Sequence, residues 1–176
     1  MKALAAALLV LVAACGEGRV ILNVDVLSFL AASDSTMPYN VPGGVPQVDT
    51  TASQMFILPP GLGKSSVDSV SANAAAVIEN SAGSGTVRFD VFFAKTQGSL
   101  YTGTPYLTTG DVTIPGPDTL QLLPPSTVSV ADTVFDTDSL WVGIRARLGT
   151  NAGPNMVGQM RLTTLGVRIV VQDKVF

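Results

Sequence analysis

Histidine is absent from the 176-residue chain, cysteine occurs once, at Cys15, and Glu17 and Glu79 are the only glutamates among 13 acidic residues. Each scarcity removes a class of chemistry. Without His there is no Ser-His-Asp or Cys-His relay and no zinc-water site of the usual kind, and the side chain most used for proton transfer near neutrality is missing. With one Cys there is neither an intrachain disulfide nor a cysteine-based metal cluster, so the domain must hold itself together by burial. Asp favours turns and caps whereas Glu favours helix interiors, so acids that are nearly all Asp point away from helices. Lys and Arg number 10 against those 13 acids, a net charge of −3, which is the wrong sign for a nucleic-acid footprint. The N-terminal apolar run at positions 3–12 falls well short of the roughly twenty residues of a membrane-spanning helix. One familiar enzymatic route survives, a pair of carboxylates about 5 to 9 Å apart as in glycosidases, and nothing in the chain marks such a pair. The expectation is a protein that is not an enzyme.

The N-terminal stretch is the most informative segment present. Lys2 gives a positive start, positions 3–12 are uncharged and apolar, and Ala13-Ala14 place two small residues before Cys15, the order of a secretory signal. Val12-Ala13-Ala14-Cys15 resembles the lipobox of bacterial lipoprotein precursors, matching it at every position. The resemblance implies that Cys15 carries a diacylglycerol, that the signal is cut in front of it, and that the new N-terminus is acylated as well. Residues 1–14 are then signal peptide, 15–19 the lipidated Cys and a short tether, and 20–176 a single domain. Each buried CH₂ contributes about 0.8 kcal/mol, so a single acyl chain anchors marginally and two or three hold firmly. A tether of about four residues spans at most roughly 14 Å, which keeps the domain close to the bilayer. Gly16, in place of the Asp that retains related lipoproteins in the inner membrane, implies delivery to the outer membrane. The alternative is an ordinary secretory signal cleaved near Ala14.

Apolar alternation with period two runs through the remainder. Strands are expected at 20–30, 50–58, 66–79, 86–94, 111–114, 119–123, 127–130 and 138–148, with one or two more in 157–173. Residues 31–46, with three prolines and Gly43-Gly44, read as an irregular loop, and 96–109 as a loop or two short edge strands. An Ala-rich helix is the alternative over 66–79. In 86–94, Val87, Phe89, Val91 and Phe93 face one way and Arg88, Asp90 and Phe92 the other; in 138–148, Leu140, Val142, Ile144, Ala146 and Leu148 face inward and Trp141, Arg145 and Arg147 outward. The expected fold class is all-β, an antiparallel two-sheet β-sandwich of about eight strands, with an up-and-down β-barrel as the alternative. An outer-membrane barrel is disfavoured, because the positions in phase with Phe176 are Lys174, Gln172, Val170 and Arg168.

Three sets of residues are candidate sites. Asp132, Asp136 and Asp138 supply carboxylates along one loop, part of a calcium shell, although the glycine and final Glu of an EF-hand are missing; capping turns are the alternative. Trp141, Arg145 and Arg147, joined by Arg161 or Arg168 from a neighbouring strand, have the composition of a binding surface. Their alternative is solvated arginines matched to strand Asp residues, with Trp141 covering a sheet edge. Tyr39, Tyr101 and Tyr106 in loops suit a sugar- or peptide-binding rim, or packing. Phe92 offers exposed contact area. Together these suggest a lipid-anchored cell-envelope module, attached to the membrane by its lipid, that binds or builds with another envelope protein. The alternative is a carbohydrate- or calcium-binding lectin-like sandwich. No cofactor beyond calcium and no nucleic acid is expected.

Overall fold

Strands β4 (Ser66–Ala82) and β11 (Met156–Lys174) pair antiparallel along nearly their whole length. In β4, Val70, Ala72, Ala74, Ala76 and Ile78 are buried on one face, so the alanines serve a sheet by period-two burial rather than a helix by propensity. A computed structural model describes residues 17–30, 35–57, 66–125, 127–130, 133–135, 137 and 139–174. Around this central pair, β1 (Glu17–Asp25) and β2 (Thr36–Val41) lie end to end along the free edge of β11, while β8 (Asp118–Leu122) and β9 (Thr127–Val130) do the same along β4. These six strands form sheet A. Sheet B has five: β10 (Ser139–Thr150) at its centre, β3 (Val48–Ile57) on one side, β5 (Gly85–Ala94) on the other, and β6 (Leu107–Thr108) and β7 (Val112–Ile114) sharing the far edge of β5. All pairings are antiparallel, and the two sheets do not close into a barrel.

The inner faces meet in one core. Val87, Phe89 and Val91 of β5 and Ile144 and Leu148 of β10 oppose Ile78, Met156, Met160 and Ile169 of sheet A. Full burial of each such large side chain contributes about 1.5–3 kcal/mol. Phe93, Tyr106 and Phe135 close one end of it, with ring centroids 5.1, 5.4 and 5.9 Å apart, inside the range where edge-to-face contact adds to simple burial.

Strand β11 buries Met156, Met160 and Leu162, then Leu165, Val167, Ile169 and Val171. The switch from even to odd positions coincides with a register shift between Leu162 and Thr164. Thr163 is the extra residue, and its hydroxyl donates to the carbonyl of Ala75. A bulge of this kind lets a 19-residue strand keep its apolar side inward.

Three boundaries differ from expectation, the first being that the strand expected over 20–30 stops at Asp25, with Leu27–Phe29 forming a single 3-10 turn. The segment at 31–46 contains β2, in which Met37, Tyr39 and Val41 alternate inward; Pro38 is accommodated because β2 is an edge strand paired only with β11. The presumed tether is shorter: β1 begins at Glu17, opposite Lys174, so Glu17, Gly18 and Arg19 belong to the sheet.

Candidate functional site

The side chains of β10 that point away from the core are Trp141, Arg145 and Arg147, with Gly143 among them. Register sets Met55, Ser53, Thr51 and Asp49 of β3 on one flank, and Ala94, Phe92, Asp90 and Arg88 of β5 on the other. This outer face of sheet B divides into an apolar half and a charged half.

In the apolar half, residues 95–106 fold back over the sheet. Leu100 buries itself with Phe92 and Ala94, and Tyr101 and Trp141 pack against them. Tyr101 meets the Phe92 ring edge-on at 5.3 Å and donates its hydroxyl to the carbonyl of Ala52 at 2.8 Å. Burial pushes its pKa up, against the lowering effect of hydrogen bonds with Thr51 and Ser53 and of the Arg145 charge. Gly143 makes room for this docking: a β-carbon there would stand 2.6 Å from Leu100 Cδ2 and 2.9 Å from Tyr101 Cε1. Gly143→Val is therefore expected to lift the loop and to cost about 1–3 kcal/mol. Because Trp141 is the only tryptophan, a red-shifted emission spectrum with the far-UV spectrum unchanged checks it directly.

In the charged half, Asp90 is fully buried (0% exposed) and accepts hydrogen bonds from Arg145 Nη2 at 3.1 Å and Arg88 Nε at 3.0 Å. Arg147 Nε lies 3.9 Å from the same carboxylate and 3.6 Å from Asp49. Arg145 is itself buried (8% exposed), with its guanidinium carbon 4.5 Å above the Phe92 ring. Register puts Arg88 and Arg147 directly opposite each other, an arrangement that repels unless a carboxylate sits between them, as Asp90 does. Burial alone would raise the pKa of Asp90; hydrogen bonds from Thr108, Arg88 and Arg145 and the Arg88 charge outweigh it and hold the carboxyl below its ordinary range. A buried carboxylate held in its charged form by two arginines serves as their counter-ion. Met55 (43% exposed), the half-buried Trp141 and Ile57 (80% exposed) run to the edge of this face.

Of the residues singled out from sequence, Trp141, Arg145, Arg147 and Tyr101 come together here. Phe92, expected to be exposed, is buried beneath Leu100 and Tyr101. Arg161 and Arg168 do not join them, because β11 lies in the other sheet; Arg161 pairs with Glu79 at 3.6 Å. The tyrosine rim does not assemble. Tyr39 is buried in sheet A with its hydroxyl donating to Asn80, and Tyr106 belongs to the core beside Phe93 and Phe135. Asp132, Asp136 and Asp138 lie outside the described residues. Sequence reasoning missed Asp90, Leu100 and Met55; the one signal for the docked loop is Gly143, a glycine inside a strand, which marks a close approach.

Sheet A carries a concavity on its outer face, about 700 Å³, where Asn23, Asp25, Ser71, Asn73 and Arg168 surround Gly166.

No protein-family model matches the chain, and no curated protein matches it. Among solved structures, infectious bursal disease virus of the Gx strain is similar over 92% of this chain and 39% of its own, with 13% identity and a TM-score of 0.40. PirA is similar over 77% of this chain and 99% of its own, with 11% identity and a TM-score of 0.37. TmCBM61, solved in complex with beta-1,4-galactotriose, is similar over 84% and 88%, with 11% identity and a TM-score of 0.32. The chain thus spans 39% of the bursal disease virus chain, and what these proteins bind or build is not carried over at such distances.

Proposed function

We propose that the chain is a lipid-anchored protein of the cell envelope whose β-sandwich serves as a binding or structural module for another envelope component. The observation that carries this reading is the segment Val12-Ala13-Ala14-Cys15, followed after a single residue by the first strand at Glu17. Lipid on Cys15 would hold the sandwich against the bilayer with almost no slack. The apolar half of the outer face of sheet B, with Met55, Trp141 and Ile57, then supplies contact area of the kind interfaces use. Delivery to the outer membrane follows from Gly16 by the same resemblance.

The test is metabolic labelling with an alkyne fatty acid. The wild-type chain is expected to take the label and to stay with membranes through salt and carbonate washes, while Cys15→Ser takes none and keeps its signal segment by mass. An unlabelled wild-type chain that washes off would overturn the anchor. Crosslinking in intact cells should recover one stoichiometric envelope protein.

A second reading, a carbohydrate- or calcium-binding lectin-like sandwich, draws for the sugar on the groove around Gly166, whose carboxylate, amides and guanidinium are the donors and acceptors that sugar hydroxyls use, and for calcium on Asp132, Asp136 and Asp138. A melting temperature that rises with calcium or with an oligosaccharide panel, and no crosslinked partner, would favour it instead.

A further inference from the structure

The edges of the two sheets are defended unequally. In sheet A, β2 carries Pro38, β1 carries Arg19 and Asp25 with Arg19 paired to Asp68, and β8 is bracketed by Pro115, Pro117, Pro124 and Pro125. In sheet B, β6 and β7 are two and three residues long. Short strands, prolines and charges are the means by which proteins stop a free edge from pairing with another chain. Strand β3 has only one of them, a single charge at Asp49 beside its first residue. It runs ten residues in unbroken register with β10, without a proline, lysine or bulge, and among the described residues nothing pairs with its outer side. Val48 (37% exposed), Met55 and Ile57 are the large apolar side chains it shows to solvent.

We propose that the outer edge of β3 pairs antiparallel with β3 of a second copy of this chain, joining two B sheets into one continuous sheet across a two-fold axis. Its charge pattern selects that occupant. Asp49 is the strand's only charged residue, it lies beside one end, and Arg147 already holds it at 3.6 Å. Antiparallel self-pairing about the centre of the strand puts the two Asp49 residues at opposite ends, roughly 20 Å or more apart at about 3.4 Å per residue, beyond a Debye length of about 8 Å. The middle of the strand, Thr50 to Gln54, is uncharged and offers nothing that a like strand would repel. A two-fold axis normal to the sheet keeps Met55 and Ile57 of both copies on the same outer face, next to each copy's Trp141, so the interface is isologous and closes at two. This pairing goes beyond the lipid anchor and holds whether or not Cys15 is acylated.

The test uses the full chain in detergent. Sedimentation should show a monomer–dimer equilibrium with a Kd on the order of 10 μM, as suits a small interface, and Met55→Glu, which sets a second carboxylate against Asp49 of the other copy at both ends of the pairing, should weaken it by roughly tenfold. Single cysteines are then placed at Thr51, Ala52, Ser53 and Gln54, with the parent chain, whose only cysteine is Cys15, as control. The residue on the axis faces itself at about 4.5–5.5 Å between α-carbons, within reach of a disulfide, so oxidation should give covalent dimer chiefly at one of the four positions. A chain that stays monomeric at all concentrations, a dimer indifferent to Met55→Glu, or a dimer in which none of the four cysteines crosslinks overturns the proposal.

Discussion

Asp90→Asn is expected to lower the free energy of unfolding by about 3–5 kcal/mol, because removing one member of a buried charge cluster leaves the other without compensation. Arg88, whose side chain is 30% exposed, can turn toward water; Arg145, buried over the Phe92 ring, cannot. Urea unfolding reads this as a lower midpoint at unchanged slope. Replacing both partners, Asp90→Leu with Arg145→Met, should recover a good part of the loss, since a well-packed apolar pair often equals a buried ion pair. Should the double variant be no better than the single one, charge compensation is not what the cluster supplies. The same group sets an acid limb. The folded state holds the Asp90 carboxyl below its ordinary pKa, so its contribution is complete above the unfolded value of about 3.9 and is lost as pH falls through the lower folded value. Asp90→Asn should accordingly show a shallower loss of stability at acid pH than the wild-type chain.

Asn80→Ala is expected to cost about 2–4 kcal/mol, since each polar group left unsatisfied costs on the order of 1–3 kcal/mol when buried. Asn80 is buried in β4, and its amide donates to the carbonyls of Gly83 and Gly116, both at 2.9 Å, while its oxygen accepts from Tyr39 at 3.1 Å. One side chain thereby ties the β4–β5 hairpin, the turn before β8, and edge strand β2 to the central pair of sheet A. Tyr39→Phe removes only one of those bonds and should cost about 1 kcal/mol. Thermal melts of both variants give the ranking, and equal losses would show that the amide serves Tyr39 alone. Burial also pushes the Tyr39 hydroxyl from 10.0 to about 12. A raised pKa keeps its contribution intact below the unfolded value, so the wild-type chain should weaken as pH climbs from about 10 toward 12, and Tyr39→Phe should lack that limb.

Alternation made most of the fold legible in the sequence. β5 and β10 bury the side that their apolar residues indicate, and even the Ala-rich β4 follows period two over propensity. Strand β2 was obscured because prolines and glycines around it carry strong turn signals, while the weaker pattern Met37, Tyr39, Val41 carries the structure. The face bearing Trp141, Arg145 and Arg147 was readable for the same reason; its state was not. Alternation tells which side of a strand a residue occupies and says nothing of what lies on top. The cover over Phe92 comes from Leu100, which docks where Gly143 leaves space, a fit between positions far apart in the chain. Asp90 and Arg145, which look like solvated surface charges in the sequence, are likewise among the most enclosed polar groups described, held together with Arg88 across β5 and β10.

In sheet A the first strand lies against the last, with Glu17 opposite Lys174 and Asp25 opposite Gly166. Of the described strands β1 is made first and β11, the strand it pairs with, last, so β1 waits unpaired until β11 has been made. Such maximal separation between partners slows folding, because the closure entropy of the whole chain comes before the contact that rewards it. Completion of sheet A is thus timed by β11, and until that strand arrives the first two strands of the sheet remain an open thread.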